Sequence, residues 1–384
     1  MTELFDQKLG DVLTFQRGHD ITKKEQSPGQ FPVISSGGAS STHVEYRYEG
    51  PGVVIGRKGS LGGVYWSEGP YWPHDTTLWV RDFKGNDPKY LYYFLKTLQL
   101  ERFDAGASNP TLNRNHLHLL EVTVLPPNRQ RSVADRLSAF DDLIENNHRR
   151  IEILEEMARL LYREWFVHFR FPGHEDVELV DSELGPIPEG WMVSPFASIV
   201  TEIKASVAET EIPSGSALVG LEHLPRRSTT LTEWDMAETV GSRRKVFEAG
   251  DILFGKIRPY FHKVVDAPID GYSSTDAIVF RPSDYAERAL CVASSDDFVS
   301  TAVATSNGTK MPRANTDLLL NYPIPEPPAH LATDFEELAA PMSAMRRNLS
   351  QQNRVLREAR DLLLPRLVSG ELDVAELELD GVLV

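Results

Sequence analysis

The sequence has one cysteine, Cys291, in 384 residues, so it cannot form an internal disulfide, and a reducing cytoplasm is the expected setting. No window approaches about 18 consecutive apolar residues, which argues against a membrane-spanning helix. The opening MTELFDQKLGDV has neither an apolar stretch nor basic flanks, so no signal peptide is expected. Nucleotide motifs are missing as well. A P-loop requires GxxxxGK followed by Ser or Thr, whereas in GVVIGRKGSLGGVYW (52–66) Gly52 and Gly56 stand too close and Gly59 follows Lys58. No GxGxxG run joins a strand to a helix. NPTL (109–112) lacks the second proline and the aromatic of the NPP-aromatic motif of amino-methyltransferases, and no glycine-rich seat for a methyl donor follows an early strand. Catalysis needs donor and target sites together, so methyl transfer on this chain is not expected. His116 and His118 could place two imidazoles side by side, but a structural pair is expected over a metal site. No catalytic constellation emerges, and the chain is expected not to be an enzyme.

Hydrophobic residues at 41% and charged residues at 25% fit a folded protein of two or three domains. The formal charge of -16 is unevenly spread. Residues 1–128 carry 13 Lys and Arg against 14 Asp and Glu, whereas residues 129–190 carry 8 against 14. Binding follows local fields rather than total charge, so a nucleic-acid partner stays open.

The chain repeats itself with a period near 200 residues. GVVIGRKG (52–59) is answered by GDILFGKIRPYFHKV (250–264), and HDTTLWVR (74–81) by STDAIVFRP (274–282). NPTLNRNHLHLLEVTVLPP (109–127) is answered by GTKMPRANTDLLLNYPIPEPP (308–328), with Arg114 set opposite Arg313. ILEEMARLL (153–161) matches VLREARDLL (355–363). Four matches in one order exclude chance, and the period is too long for a solenoid unit, which leaves a duplicated module of domain plus helix.

Each module alternates short β-branched or aromatic runs with Gly, Pro and Asn turns, a strand-rich pattern. The runs are FPVISSG, GVVIG, GVYW and TTLWV, then ALVGL, DILFG, HKVVD and AIVF. Leu91, Phe94, Leu95 and Leu98 share one face of an expected helix over 88–101. Two longer helices follow the modules. Leu137, Phe140, Ile144, Asn147, Ile151, Leu154, Ala158, Leu161 and Trp165 step by three and four, as do Phe335, Leu338, Met342, Met345, Leu349, Gln352, Leu356, Ala359 and Leu363. Both read as coiled-coil seams, with Asn147 and Gln352 as the polar residues that set register; an amphipathic helix packed on its own domain is the alternative. Pro341 is expected to kink or delay the second helix, and Pro365 to end or bend it. Residues 172–190, acidic and rich in Pro and Gly, read as a linker.

At this point the sequence resembles the DNA-specificity subunit of a type I restriction–modification system. The resemblance rests on MARLLYREWFVHFRFP (157–172) after the first helix, ELGPIPEGW (183–191) at the entry to the second module and LLLPRLVSGEL (362–372) near the end. It implies an α+β fold with two target-recognition domains of mixed, strand-rich structure, separated by two long helices that pair as an antiparallel coiled coil. The expected domains are 1–128 and 191–328, the helices 129–171 and 329–370, the linker 172–190 and a tail 371–384. The resemblance implies a non-catalytic adaptor in which each domain reads half of a bipartite, asymmetric DNA target. The helices would set the spacing and dock methyltransferase subunits, and restriction and translocase subunits would join that core, two of each being expected. S-adenosylmethionine, ATP and magnesium would then belong to those partners.

Two modules that read different sequences should share scaffold and phosphate contacts and differ where they read bases. The shared cations Arg57, Lys58, Lys256, Arg258, Arg114 and Arg313 are the phosphate candidates, with a solvated hairpin tip as the other reading of Arg57 and Lys256. The divergent loops 35–43, 107–113, 222–245 and 305–310 supply base-reading candidates. These are Ser36, His43, Asn109, Asn113, Arg226, Arg243 and Lys310. Tyr65, Trp66 and Tyr71 read as sheet packing, and Tyr260 and Phe261 stand between packing and DNA. Two rival functions remain, a protein-interaction scaffold that reads no DNA and a nucleotide-dependent enzyme built on the glycine loop.

Overall fold

The computed structural model describes residues 5–104, 106, 110–238 and 241–374. The chain forms two compact units. One comprises the residues up to Asp142 together with the chain from Leu356 onward, and the other is Leu143–Val355. Each long helix therefore contributes to both units.

In the first unit, a four-stranded antiparallel sheet has the order Thr14–Arg17, Thr77–Asp82, Gly52–Gly56, Val64–Ser67. The apolar run Val53-Val54-Ile55 is fully buried because both faces of this sheet are covered. Alternate side chains point to opposite faces. Val53 and Ile55 pack with Tyr90 and Phe94, whereas Val54 packs with Ile34, Tyr71 and Trp79. Gly52 is required here, since any Cβ would overlap the buried Tyr71 ring. Strand Phe31–Ser35 pairs antiparallel with Gly38–His43 and parallel with Trp72–Pro73. Phe5–Lys8 pairs with Glu121–Val124. The expected helix forms over Pro88–Thr97, with proline at its start and the Asp87 carboxylate accepting from Tyr90 N at 2.8 Å.

The second unit repeats this frame. Val200–Glu202, Ala277–Pro282, Ile252–Gly255 and Val264–Asp266 form a sheet of the same order and sense. Met192–Pro195 pairs with Pro323–Glu326, as Phe5–Lys8 does with Glu121–Val124. The parallel pair recurs as Ala217–Val219 with Gly271–Ser273, in a sheet enlarged to five strands by Ser206–Val207 and Arg244–Phe247. Two helices, Ala286–Ala293 and Asp296–Ala304, stand where the first module has Pro88–Thr97 followed by a single 3-10 turn. The stretch read as a linker contains a hairpin, Leu179–Ser182 with Gly185–Pro188. Its flanking aromatics are core: Phe166, Phe171 and Trp191 are buried, and Phe166 meets Phe335 edge-on at 5.0 Å. Such edge-to-face contacts add about 0.5–1.5 kcal/mol beyond burial.

The long helices span Pro127–Tyr162, extended by a π turn over Arg163–Val167, and Ala329–Val368. They run antiparallel in each unit. Asp141 bonds Arg360 at 2.6 Å in the first, and Asn147 bonds Asn353 at 2.9 Å in the second, where Phe166 meets Phe335. The first seam is buried or half-buried at every position named above. The second seam differs: Leu338, Met345 and Gln352 are exposed. The buried face there carries Ala339, Ser343, Arg346, Ser350 and Asn353. The buried stripe of this helix thus mixes apolar residues such as Phe335, Leu349 and Leu356 with polar ones that bond to partners in the same unit. Asn353, not Gln352, is therefore the partner of Asn147; Gln352 donates to Asn348 on the surface at 3.1 Å. The helix also runs through Pro341 and Pro365 without a break. Both prolines are exposed, and Pro365 O still accepts from Ser369 N at 3.0 Å, so each costs an amide donor without disturbing the packed face.

Candidate nucleic-acid interface

In each module, a hairpin, a turn and a crossing segment meet at one end of the four-stranded sheet. In the first, Arg57 N donates to Thr76 O (2.9 Å), Leu112 N to Arg57 O (2.9 Å) and Gly59 N to Pro110 O (3.3 Å). In the second, Lys256 N donates to Asp276 O (2.8 Å), Ala314 N to Lys256 O (2.9 Å) and Arg258 N to Pro312 O (2.7 Å). The same three bonds recur, so Arg57 corresponds to Lys256, Lys58 to Ile257, Gly59 to Arg258 and Thr111 to Arg313. Asn113 and Asn315 then coincide as helix caps, their carboxamide oxygens accepting from Asn115 N (3.0 Å) and Asp317 N (3.1 Å).

This register corrects the pairing of Arg114 with Arg313. Arg114 corresponds to Thr316, which is buried, because the second module holds three more residues between the sheet glycine, Gly56 or Gly255, and the proline, Pro110 or Pro312. At this hairpin and its crossing segment, the cation common to both modules among the described residues is at Arg57 and Lys256; in the neighbouring strands Arg81 likewise matches Arg281.

Arg57 is half-buried and donates through Nη2 to Asp75 O at 3.2 Å; its buried Nε has no partner among the described residues. Asp75 is already held by Arg17 at 2.8 Å. Burial first, then the Arg17 charge, lowers the Arg57 pKa, with Asp75 opposing. The Asp75 carboxylate pairs with Arg17 while Arg57 bonds the Asp75 backbone carbonyl, so the second guanidinium leaves a positive charge over, and the exposed Lys58 adds another. Lys58, Arg114 and Lys310 are exposed and make no ion pair among the described residues. Lys256 and Arg258 are half-buried; Arg258 has φ +49° and Arg313 leans on Asp276 at 3.4 Å.

The base-reading candidates divide. Ser36 and His43 are corrected: residues 35–43 form a hairpin rather than a loop, and both side chains are buried. Ser36 Oγ donates to Thr76 O at 2.6 Å, and His43 Nδ1 accepts from Ser27 N at 3.0 Å while its ring packs edge-on against Trp72. Asn109 lies outside the described residues. Asn113 is exposed, with its oxygen engaged in the cap. Arg226 is exposed, with its guanidinium 4.0 Å from the Phe261 ring centre, and Arg243 bonds Ser206 Oγ and O, both at 3.1 Å. Tyr260 is exposed and meets Phe261 edge-on at 4.9 Å.

The two histidines have different surroundings. His116 is exposed, while His118 Nε2 accepts from Phe15 N at 2.9 Å and burial lowers its pKa. Among the described residues, Asp20, His74 and Asp75 bring ligand atoms within 4.8 Å of one another, but Asp75 is neutralised by Arg17. Sequence reasoning missed Arg17, Asp75 and Asp276. The aspartates were visible in the repeated strands HDTTLWVR and STDAIVFRP, whereas nothing in the sequence sets Arg17 beside Arg57.

Taken together, the fold defines a duplicated protein of two modules with a common frame, a common cationic hairpin and different loops. Residues 4–156 match the family model described as type I restriction modification DNA specificity domain. The chain is 28% identical over 303 residues to the type I restriction enzyme MjaIX specificity subunit of Methanocaldococcus jannaschii, covering 75% of this chain and 70% of that one. It is 20% identical over 347 residues to the EcoDI specificity subunit of Escherichia coli, covering 84% and 77%. A crystal structure of the type I restriction–modification S subunit from M. genitalium has the same fold, with a TM-score of 0.61 at 16% identity over 96% of each chain. The chain is thus similar to specificity subunits of type I restriction–modification systems over most of its length, and its first module matches the model of their DNA specificity domain.

Proposed function

We propose that the chain is the non-catalytic, sequence-reading subunit of a type I restriction–modification complex. Each module reads one half of a split, asymmetric DNA target, and the helices space the modules and dock methyltransferase subunits. The observation that carries this reading is the frame built twice: backbone bonds at the hairpins coincide, while the loops beside them differ in length and residue type. Scaffold that repeats suits phosphate contacts, and loops that diverge suit base contacts. Helices of 36 and 40 residues would be about 54 and 60 Å long, against about 34 Å per turn of duplex, enough to carry two readers along one DNA. Exposed Ile153, Met157 and Leu160 form a helical stripe on the central helix, and Leu338 and Met345 are exposed on the other; such apolar faces suit subunit docking. S-adenosylmethionine, ATP and magnesium belong to the methyltransferase and translocase partners. Comparing DNA methylation in cells with and without the gene tests the reading: loss of one split motif is expected, and an unchanged methylome refutes it. Retardation of the mapped duplex by chain plus methyltransferase separates this function from a scaffold that reads no DNA.

A further inference from the structure

One carboxylate on the central helix gathers a loop of the second module. Glu155 Oε1 accepts from Ser228 Oγ (2.9 Å), Thr229 N (2.9 Å), Thr229 Oγ1 (3.2 Å) and Thr230 Oγ1 (2.6 Å). From the C-terminal helix, the buried Arg346 Nη1 donates to the same two threonine hydroxyls, at 3.0 and 2.9 Å, and to Asp266 Oδ1 at 3.4 Å. Each hydroxyl thus accepts from the guanidinium and donates to the carboxylate, so both proton directions are set. Ser350 Oγ adds a bond to Leu231 O at 3.0 Å, and Arg347 bonds Asp266 at 2.8 Å. The loop so tied begins two residues after Arg226, which stacks on Phe261 of the cationic hairpin, and directly after Arg227, which sits at φ +59° and pairs with Asp296 at 3.1 Å. At the repeat-matched helix positions stand Arg357 and Ile144, so the sequence does not place the same charge pair in the other copy.

We propose that Glu155 and Arg346 are positioning residues that hold residues 226–231 in their reading orientation and thereby set the fidelity of the second DNA half-site alone. A carboxylate shared by four donors resists displacement because every donor would be left unpaired on leaving it. The proposal rests on the split-target reading.

The test uses the full chain with its methyltransferase partner and duplexes carrying the mapped target with single substitutions in either half. Glu155→Ala is expected to lower discrimination against second-half substitutions on the order of tenfold, within the usual worth of one base pair. First-half discrimination and the melting temperature of the first unit stay unchanged. Glu155→Gln, which keeps an acceptor oxygen, restores part of the loss, and amide exchange at residues 226–231 rises in the same order. Equal loss in both halves, or no loss with unchanged exchange, overturns the proposal. A wild-type complex with no selectivity in either half overturns the split-target reading itself, a result distinct from any loss confined to the variants.

Discussion

Asn147 and Asn353 offer the sharpest check on how the helices pair. Both side chains are buried, Asn147 at 1% and Asn353 at 0% exposure, and Asn147 Nδ2 donates to Asn353 Oδ1 at 2.9 Å. Asn353 Nδ2 donates in turn to Ile144 O at 3.2 Å. Asn353→Leu strands the Asn147 amide in the buried seam, while Ile144 O keeps its helical bond, and a buried unpaired group costs about 1–3 kcal/mol. Asn147→Leu strands Asn353 Oδ1 at a similar cost. The double leucine variant leaves neither carboxamide stranded and adds apolar packing, so it should lose less than either single variant. A cycle of the four proteins should therefore show roughly 1–3 kcal/mol of coupling. Two compact units preclude a single unfolding free energy for the chain, so the readout is amide exchange of helical peptides around residues 147 and 353. Gln352→Leu is the control, expected to stay within about 0.5 kcal/mol as a surface change. Additive single variants, or a Gln352→Leu cost equal to that of Asn353→Leu, would refute the pairing.

Glu287, buried against Ser343, Glu336, Asp266 and Arg346, has its pKa raised from 4.5 to about 7, chiefly by burial. Its protonated form stabilises the fold below about pH 4.5, and that contribution is lost as pH rises through 7. Glu287→Gln should therefore gain stability over wild type across that window, up to ~3 kcal/mol at pH 8, and parallel curves would contradict it. Lys58→Ala should flatten the slope of log affinity against log salt by about 0.9 and weaken target and scrambled duplexes alike; an unchanged slope removes Lys58 from the phosphate contacts. Gly52→Ala should cost about 1–3 kcal/mol through overlap with Tyr71, whereas Gly69→Ala, where no atom lies within 4 Å of the added Cβ, should melt as wild type.

Much of the frame was legible because local pattern and local structure agree. Val53-Val54-Ile55 and Ile252-Leu253-Phe254 read as buried strands, since a run apolar on both faces has few other uses. The first helical seam was read correctly because every buried position except Asn147 is apolar. The second was misread because Ser343, Arg346, Ser350 and Asn353 are polar, and their burial is stabilised by partners far away in sequence, such as Glu287 and Thr230. Ser36 and His43 looked like surface readers for the same reason: a polar side chain shows its type in the sequence, not its partner.

The duplication, the strand-rich modules, the two long helices and the absence of catalytic motifs were legible from residue order alone, because periodicity and turn chemistry act between near neighbours. The register between the copies was decided in the folded chain, where backbone bonds set Arg57 against Lys256 and separated Arg114 from Arg313. So were the seam partner of Asn147 and the knot at Glu155 and Arg346. Each depends on contacts between residues tens to hundreds of positions apart, for which a single sequence carries no distance.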